Sequence, residues 1–124
     1  MYTLIPYKYV DASHYHESSV IVLDGTLTPE QVESIAGKLD EGENFIPADL
    51  NLGIEELQER LPSFPSDDDV VWHELHLHRM KVVNTVPEGT TTIDSKDFIA
   101  AFDLIKDSSA WDIVGATERL DLPM

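Results

Sequence analysis

Apolar residues recur along this chain in two rhythms. Tyr7 and Tyr9 flank Lys8 and run into Val10, the period of two that marks an extended segment. The stretch Asp11 to Glu17 is polar and turn-rich. Val20, Ile21, Val22 and Leu23 then follow without interruption, so Ser18 to Leu23 reads as a strand buried on both faces, closed by the turn signal Asp24-Gly25. From Leu27 the rhythm becomes helical. Thr28 is placed to cap, Pro29 suits the first helical position and Gln31 completes a capping box, while Leu27 and Val32 can staple the start. Val32, Ile35, Ala36 and Leu39 form one stripe, which predicts a helix over 29–39, and Gly42 ends the region.

Phe45, Ile46 and Pro47 read as a buried loop anchor. Ile54, Leu57 and Leu61 have helical spacing and predict a short second helix stopped by Pro62. Pro65 and Asp67-Asp68-Asp69 mark a loop, the acids serving as a charged lead-in to the next strand. Val70 to Val83 alternates again. One face carries Val71, His73, Leu75, Leu77, Arg79 and Lys81; the other carries Val70, Trp72, Glu74, His76, His78, Met80 and Val82. The apolar side changes between Leu77 and Met80, so a bulge or a break into two strands is expected near residues 78–79. With the first face inward, His73 is a hydrogen-bonded core residue, and Glu74, His76 and His78 look outward. Pro87 and Gly89 turn the chain. Asp94 or Ser95 caps a third helix whose inner face is Phe98, Ala101, Phe102 and Ile105, and Trp111, Ile113 and Val114 supply a last strand before a loose tail. This order predicts an α+β fold: a mainly antiparallel sheet of about four strands with three helices packed on it, in a single compact domain over 1–124.

Charge narrows the function. Eight Lys and Arg against 24 Asp and Glu leave a net charge of −16, with a pI near 4.3. Such a field opposes direct nucleic-acid binding and attachment to anionic lipid. It also has a plain use in solubility, which halophilic proteins exaggerate. No Cys is present, so disulfides, thiolate metal sites and cysteine nucleophiles are excluded. Gly37 and Gly42 have P-loop spacing but are followed by Glu43-Asn44 rather than Lys-Ser/Thr, and neither a Gly-x-Ser-x-Gly elbow nor an EF-hand loop occurs. No basic region followed by an apolar one opens the chain, and no apolar run approaches the roughly 18 residues of a membrane span. A cytoplasmic location is expected, the host's cytoplasm if the gene is carried by a phage.

Three stretches, Tyr7-Lys8-Tyr9-Val10-Asp11-Ala12-Ser13, Leu27 to Asp49, and Asp68-Asp69 to His73-Glu74, resemble a group of small acidic bacterial proteins of uncharacterised function. The resemblance covers roughly the first two-thirds of the chain and implies no activity.

Two constellations carry chemistry. His76 and His78 share a strand face with Glu74, and a second His-x-His lies at His14 and His16 beside Glu17. Paired strands bearing these motifs would bring several imidazoles to one tetrahedral ion, zinc first, with nickel or copper as other ions suited to such donors. A zinc-dependent enzyme would then need Glu74 or Glu17 as general base. The second constellation is acidic: Glu30, Glu33, Asp40, Glu41, Glu43, Asp49, Glu55, Glu56 and Glu59 stand against the single cation Lys38 up to Glu59. Glu30 and Glu33, like Glu55 and Glu59, would sit about 5–6 Å apart on helices, near the spacing of nucleic-acid phosphates. Part of this has a local use, since Glu30 and Glu33 suit a helix start and Glu56 would pair with Arg60. The expectation is a non-enzymatic, cofactor-free protein that meets a basic, nucleic-acid-acting protein partner through Glu30, Glu33, Glu41, Glu43, Glu55 and Glu59. Immunity, anti-restriction and anti-CRISPR proteins form this class, with nucleic-acid mimicry one way of working. The metal-binding alternative uses His14, His16, Glu74, His76 and His78.

Overall fold

The first strand, β1 (Tyr2–Val10), organises the molecule, as the computed structural model of residues 1–123 makes plain. Met124, the last residue of the expected domain, lies outside the described residues. Along β1 every odd position is buried and every even one half-exposed, so Thr3, Ile5, Tyr7 and Tyr9 form one inward row. A hairpin joins β1 to β2 (His16–Asp24), antiparallel in register from Tyr2–Asp24 to Val10–His16. Its loop is closed by the Asp11 carboxylate, which accepts from the Ser13 and Tyr15 N–H groups, both at 2.9 Å.

The other edge of β1 is shared by two short strands. β4 (His73–Leu75) pairs with it at Tyr7 and Lys8, and β5 (Lys81–Val83) at Tyr2 to Leu4. Between them a 3₁₀ turn, Leu77–Arg79, leaves the ladder, and this is the break that the change of apolar face anticipates. Pro6 sits opposite the gap. It lacks an N–H, and its carbonyl accepts from the His76 N–H at 2.9 Å, so proline stands inside the sheet without orphaning a donor. A two-residue strand, β3 (Asn44–Phe45), extends the sheet beyond β4, and β6 (Ile93–Asp94) runs parallel to the end of β2.

The α+β class therefore holds, but the sheet is mixed and has six strands in place of four antiparallel ones. Its two-residue members are too short for any periodicity to reveal. The apolar run of β2 is also not buried on both faces. Ile21 and Leu23 point inward, whereas Val20 is 48% exposed, because helices cover only the inward side.

Helix α1 (Pro29–Lys38) starts with the expected box: the Thr28 hydroxyl accepts from Gln31 N–H, and Gln31 Oε1 accepts from Thr28 N–H at 2.8 Å. Of its stripe, Ile35 and the following Leu39 are buried. Helix α2 (Ser95–Asp103), capped by Asp94, inserts Phe98, Ala101 and Phe102, with Ile105 just beyond. Gly25, at φ +117°, lets the end of β2 pass this helix; a Cβ there would stand 2.4 Å from Ser95 Oγ.

Three further expectations fail. The second helix is a single 3₁₀ turn, Leu57–Arg60, because the Leu57 N–H is directed to the His73 imidazole at 2.9 Å. The last strand is a helix, α3 (Ile113–Arg119), capped by Asp112. Its start is fixed where Asp112 N–H donates to the Asp49 carboxylate at 2.8 Å, and Ile113 and Val114 lie on its exposed side. The tail is not loose up to Leu122, which is buried together with Leu120.

The long segment between β3 and β4 is pinned largely by hydroxyls from β1. Tyr7 Oη donates to the Glu55 carbonyl at 2.8 Å, while Tyr9 Oη donates to Asp69 Oδ1 at 2.6 Å and accepts from Val70 N–H at 3.1 Å. Tyr9→Phe should leave both partners short of a bond in a buried site and cost about 2–3 kcal/mol, measured as a lower urea midpoint. A midpoint equal to that of the parent protein would show that Tyr9 does not hold this loop.

Candidate partner-binding surface

The six predicted carboxylates fall into two groups. Glu30 and Glu33 are exposed on α1, and Glu41 and Glu43 are exposed in the tight turn that follows it. That turn is built by left-handed Glu41 and Gly42 (φ 52° and 79°) and closed by a reciprocal pair of bonds between Asp40 and Asn44. The Glu43 carbonyl accepts from Leu75 N–H at 2.8 Å, which fixes the turn against the sheet and leaves its side chain outside. Glu55 stands elsewhere. It lines a cleft beside β2, and β1 and β4 separate β2 from the β3 edge, a distance of about 14 Å at ordinary strand spacing. Glu59 is exposed on the 3₁₀ turn near Glu55.

Glu55 is also partly neutralised. Arg60 grips it with two bonds, Nε to Oε2 at 2.7 Å and Nη2 to Oε1 at 2.6 Å, and reaches Glu17 at 3.7 Å. This guanidinium lowers the pKa of the Glu55 carboxyl and has its own raised in return. The expected Glu56–Arg60 pair is not made, since without a helix the two side chains diverge; Glu56 is instead bound by Arg119 of α3. Lys38 turns inward to the carbonyls of Ile105 and Lys106, so the one cation of the acidic stretch before Arg60 contributes little to its surface.

The histidines do not converge. His14 occupies the left-handed position (φ 67°) at the tip of the β1–β2 loop, and His16 opens β2 opposite Val10. His76 lies beside Pro6, whose partner on β2 is Val20, four residues from His16 and so about 13 Å along the strand. Glu74 meets His76 at 3.1 Å, and the His76 and His78 rings are 5.7 Å apart. Among the described residues no group of three or more side chains is arranged to hold a metal ion. The expected joining of His14 and His16 with Glu74, His76 and His78 is thus corrected by the strand register, which sets the two motifs at different heights on the sheet.

His73, as expected, belongs to the core. Its ring packs between Tyr7, Tyr9 and Phe45, and its Nε2 accepts the Leu57 N–H, which requires the neutral form with the proton on Nδ1. Sequence reasoning passed over the network of Glu17, Arg60 and Glu55, whose members come from distant segments and carry no shared local signal.

Among the described residues no helix is long and apolar enough to cross a membrane. Compared with protein-family models, characterised proteins and solved structures, the chain has no significant match.

Burial depresses the His73 pKa from 6.5 to about 4. The unfolded chain therefore binds this proton first as pH falls, so stability is fully present above about 6.5 and is lost towards 4, by about 3 kcal/mol in all. Urea unfolding at a series of pH values should show this slope in the parent protein. The loss over this range should be smaller by about 3 kcal/mol in His73→Phe; equal slopes would mean that His73 is not the group responsible.

Proposed function

We propose that this chain is a small acidic binding protein, without a catalytic role, that inhibits or regulates a basic, nucleic-acid-acting protein. Immunity, anti-restriction and anti-CRISPR proteins act in this way, in the cytoplasm or, for a phage-borne gene, in the cytoplasm of the host. The observation that carries this reading is how few of its charges are used internally. Of 24 Asp and Glu, only Glu17, Glu55 and Glu56 meet a Lys or Arg side chain among the described residues. The remainder face water or accept hydrogen bonds from backbone N–H, hydroxyl or imidazole groups, and their field extends outward.

A field of this sign draws in a cationic surface and repels nucleic acid and anionic lipid alike. The stretch with the strongest claim to the contact is α1 with the turn after it, where Glu30, Glu33, Glu41 and Glu43 are exposed and free of any Lys or Arg partner. Glu55 contributes less because Arg60 already balances it, and Glu59 stands with Glu55, towards the β2 edge of the sheet rather than the β3 edge.

Binding to a protein captured by the immobilised chain should weaken roughly tenfold between about 50 and 300 mM NaCl, mainly through slower association. The combined reversal Glu30→Lys, Glu33→Lys, Glu41→Lys and Glu43→Lys should weaken it more than Glu55→Lys with Glu59→Lys. Affinity that is flat in salt, or captured proteins that are themselves acidic, would remove the electrostatic basis of this function.

A further inference from the structure

β2 is an edge strand that stays open over most of its length. Gly25 N–H donates to the Met1 carbonyl at 2.9 Å, one step beyond the Tyr2–Asp24 pair, so hydrogen-bonded pairs with β1 fall at odd positions of the hairpin. Pro6 opposite Val20 agrees, having no N–H to give and turning its carbonyl to His76. Ser18 and Val20 therefore direct their backbone N–H and C=O groups away from β1. β6 runs beside β2 only at Leu23 and Asp24, where it can meet the outward groups of Val22 and Asp24, and among the described residues no other backbone group bonds to Ser18 or Val20. Ser18 to Val22 contains neither proline nor charge, the usual means of blunting an edge.

Beside this edge runs a cleft of about 260 Å³ lined by Ser19, Ile21, Leu52, Ile54, Thr91 and Ile93. The free run from His16 to Ile21 matches a strand of about 5–6 residues, and β6 marks where an added strand must stop. We propose that an extended segment of the basic partner adds to the sheet here, with lysine or arginine alternating with apolar residues. Its apolar side chains lie over Ile21 and the cleft. Its cationic ones stand on the outer face, in the field of a chain of −16, with exposed Asp24 and Asp94 side by side at one end. Charge argues against a second copy as the occupant, since each copy carries −16. This inference rests on the binding function proposed above and adds the backbone chemistry by which the partner is held.

The probe is a capped peptide alternating lysine and valine, Lys-Val-Lys-Val-Lys-Val, compared with its glutamate–valine counterpart and with a version N-methylated at alternate amides. Saturating lysine–valine peptide should slow exchange of the Ser18 and Val20 amides at least about tenfold. Val20→Pro, which removes an outward N–H but no bond to β1, should weaken binding roughly tenfold while keeping the parent melting temperature. N-methylation at the facing amides should weaken it similarly on the unaltered protein, which keeps the test decisive if Val20→Pro folds poorly. Unchanged exchange at both amides, or no loss on N-methylation, overturns the inference. If binding is nevertheless salt-sensitive, the acidic function survives without the edge. Equal binding of the glutamate–valine peptide overturns the basic occupant of this edge and with it the inference, while the acidic surface of α1 and its turn is judged separately by its own salt dependence. Protection of both amides without peptide, in a species of dimer mass, makes the occupant a second copy and also overturns the inference.

Discussion

Three hydroxyl groups on one strand hold much of this molecule together. Thr3, Tyr7 and Tyr9 point inward from β1, and each ends on a group from a remote stretch of chain: the Gly25 carbonyl, the Glu55 carbonyl, and Asp69 with Val70. Between β3 and β4 the chain has only isolated 3₁₀ turns, so few of its backbone groups are satisfied by regular ladders. Buried polar groups need partners. The inward row supplies several of them while its aromatic rings fill the core, and His73 adds one more by accepting from Leu57. One alternating strand thus does the work of both a hydrophobic face and a set of anchors.

The same strand explains the shape of the sheet. Pro6 cannot donate, so a continuous partner strand would lose a bond opposite it. The partner instead divides into β4 and β5 around the turn at Leu77–Arg79. On the other side Pro6 faces Val20 in a pair that exchanges no hydrogen bonds, which lets the hairpin run uninterrupted for nine residues on each strand. The proline is tolerated because both of its neighbours accommodate the missing donor, one by leaving and one by never needing it.

What could be read from the chain follows from how local each cause is. Helix α1 was legible because Thr28, Pro29 and Gln31 determine its start within four residues. The division of Val70 to Val83 was legible because a change of buried face leaves a trace in the order of apolar residues. The turn at Leu57 was not, since its backbone is claimed by an imidazole 16 residues away. Helix α3 was missed because β-branched Ile113 and Val114 suit a strand, while the cap that overrides them, Asp112, is seated by Asp49. The candidate surface divides in the same way. That Glu30, Glu33, Glu41 and Glu43 are exposed follows from a helix and its turn, but the separation of Glu55 from them is a fact of sheet order. The two histidine motifs failed to meet for a comparable reason, because register cannot be read from either strand alone.

The anchors of this fold are also nearly independent of its charge. Hydroxyls, an imidazole held neutral by burial, and backbone groups make most of the long-range polar contacts, and charged side chains join them chiefly at Asp69, Lys38 and Asp49. Ion pairs are few and lie at the surface, where each adds little to stability. Removing surface carboxylates should therefore alter the outward field without dismantling the core. The high charge in turn is not needed to hold the chain together, and mutual repulsion works against compactness. A net charge that costs stability, and of which internal contacts use only part, is best accounted for by something outside the molecule, whether solvent or a cationic partner, and the salt dependence of binding separates the two.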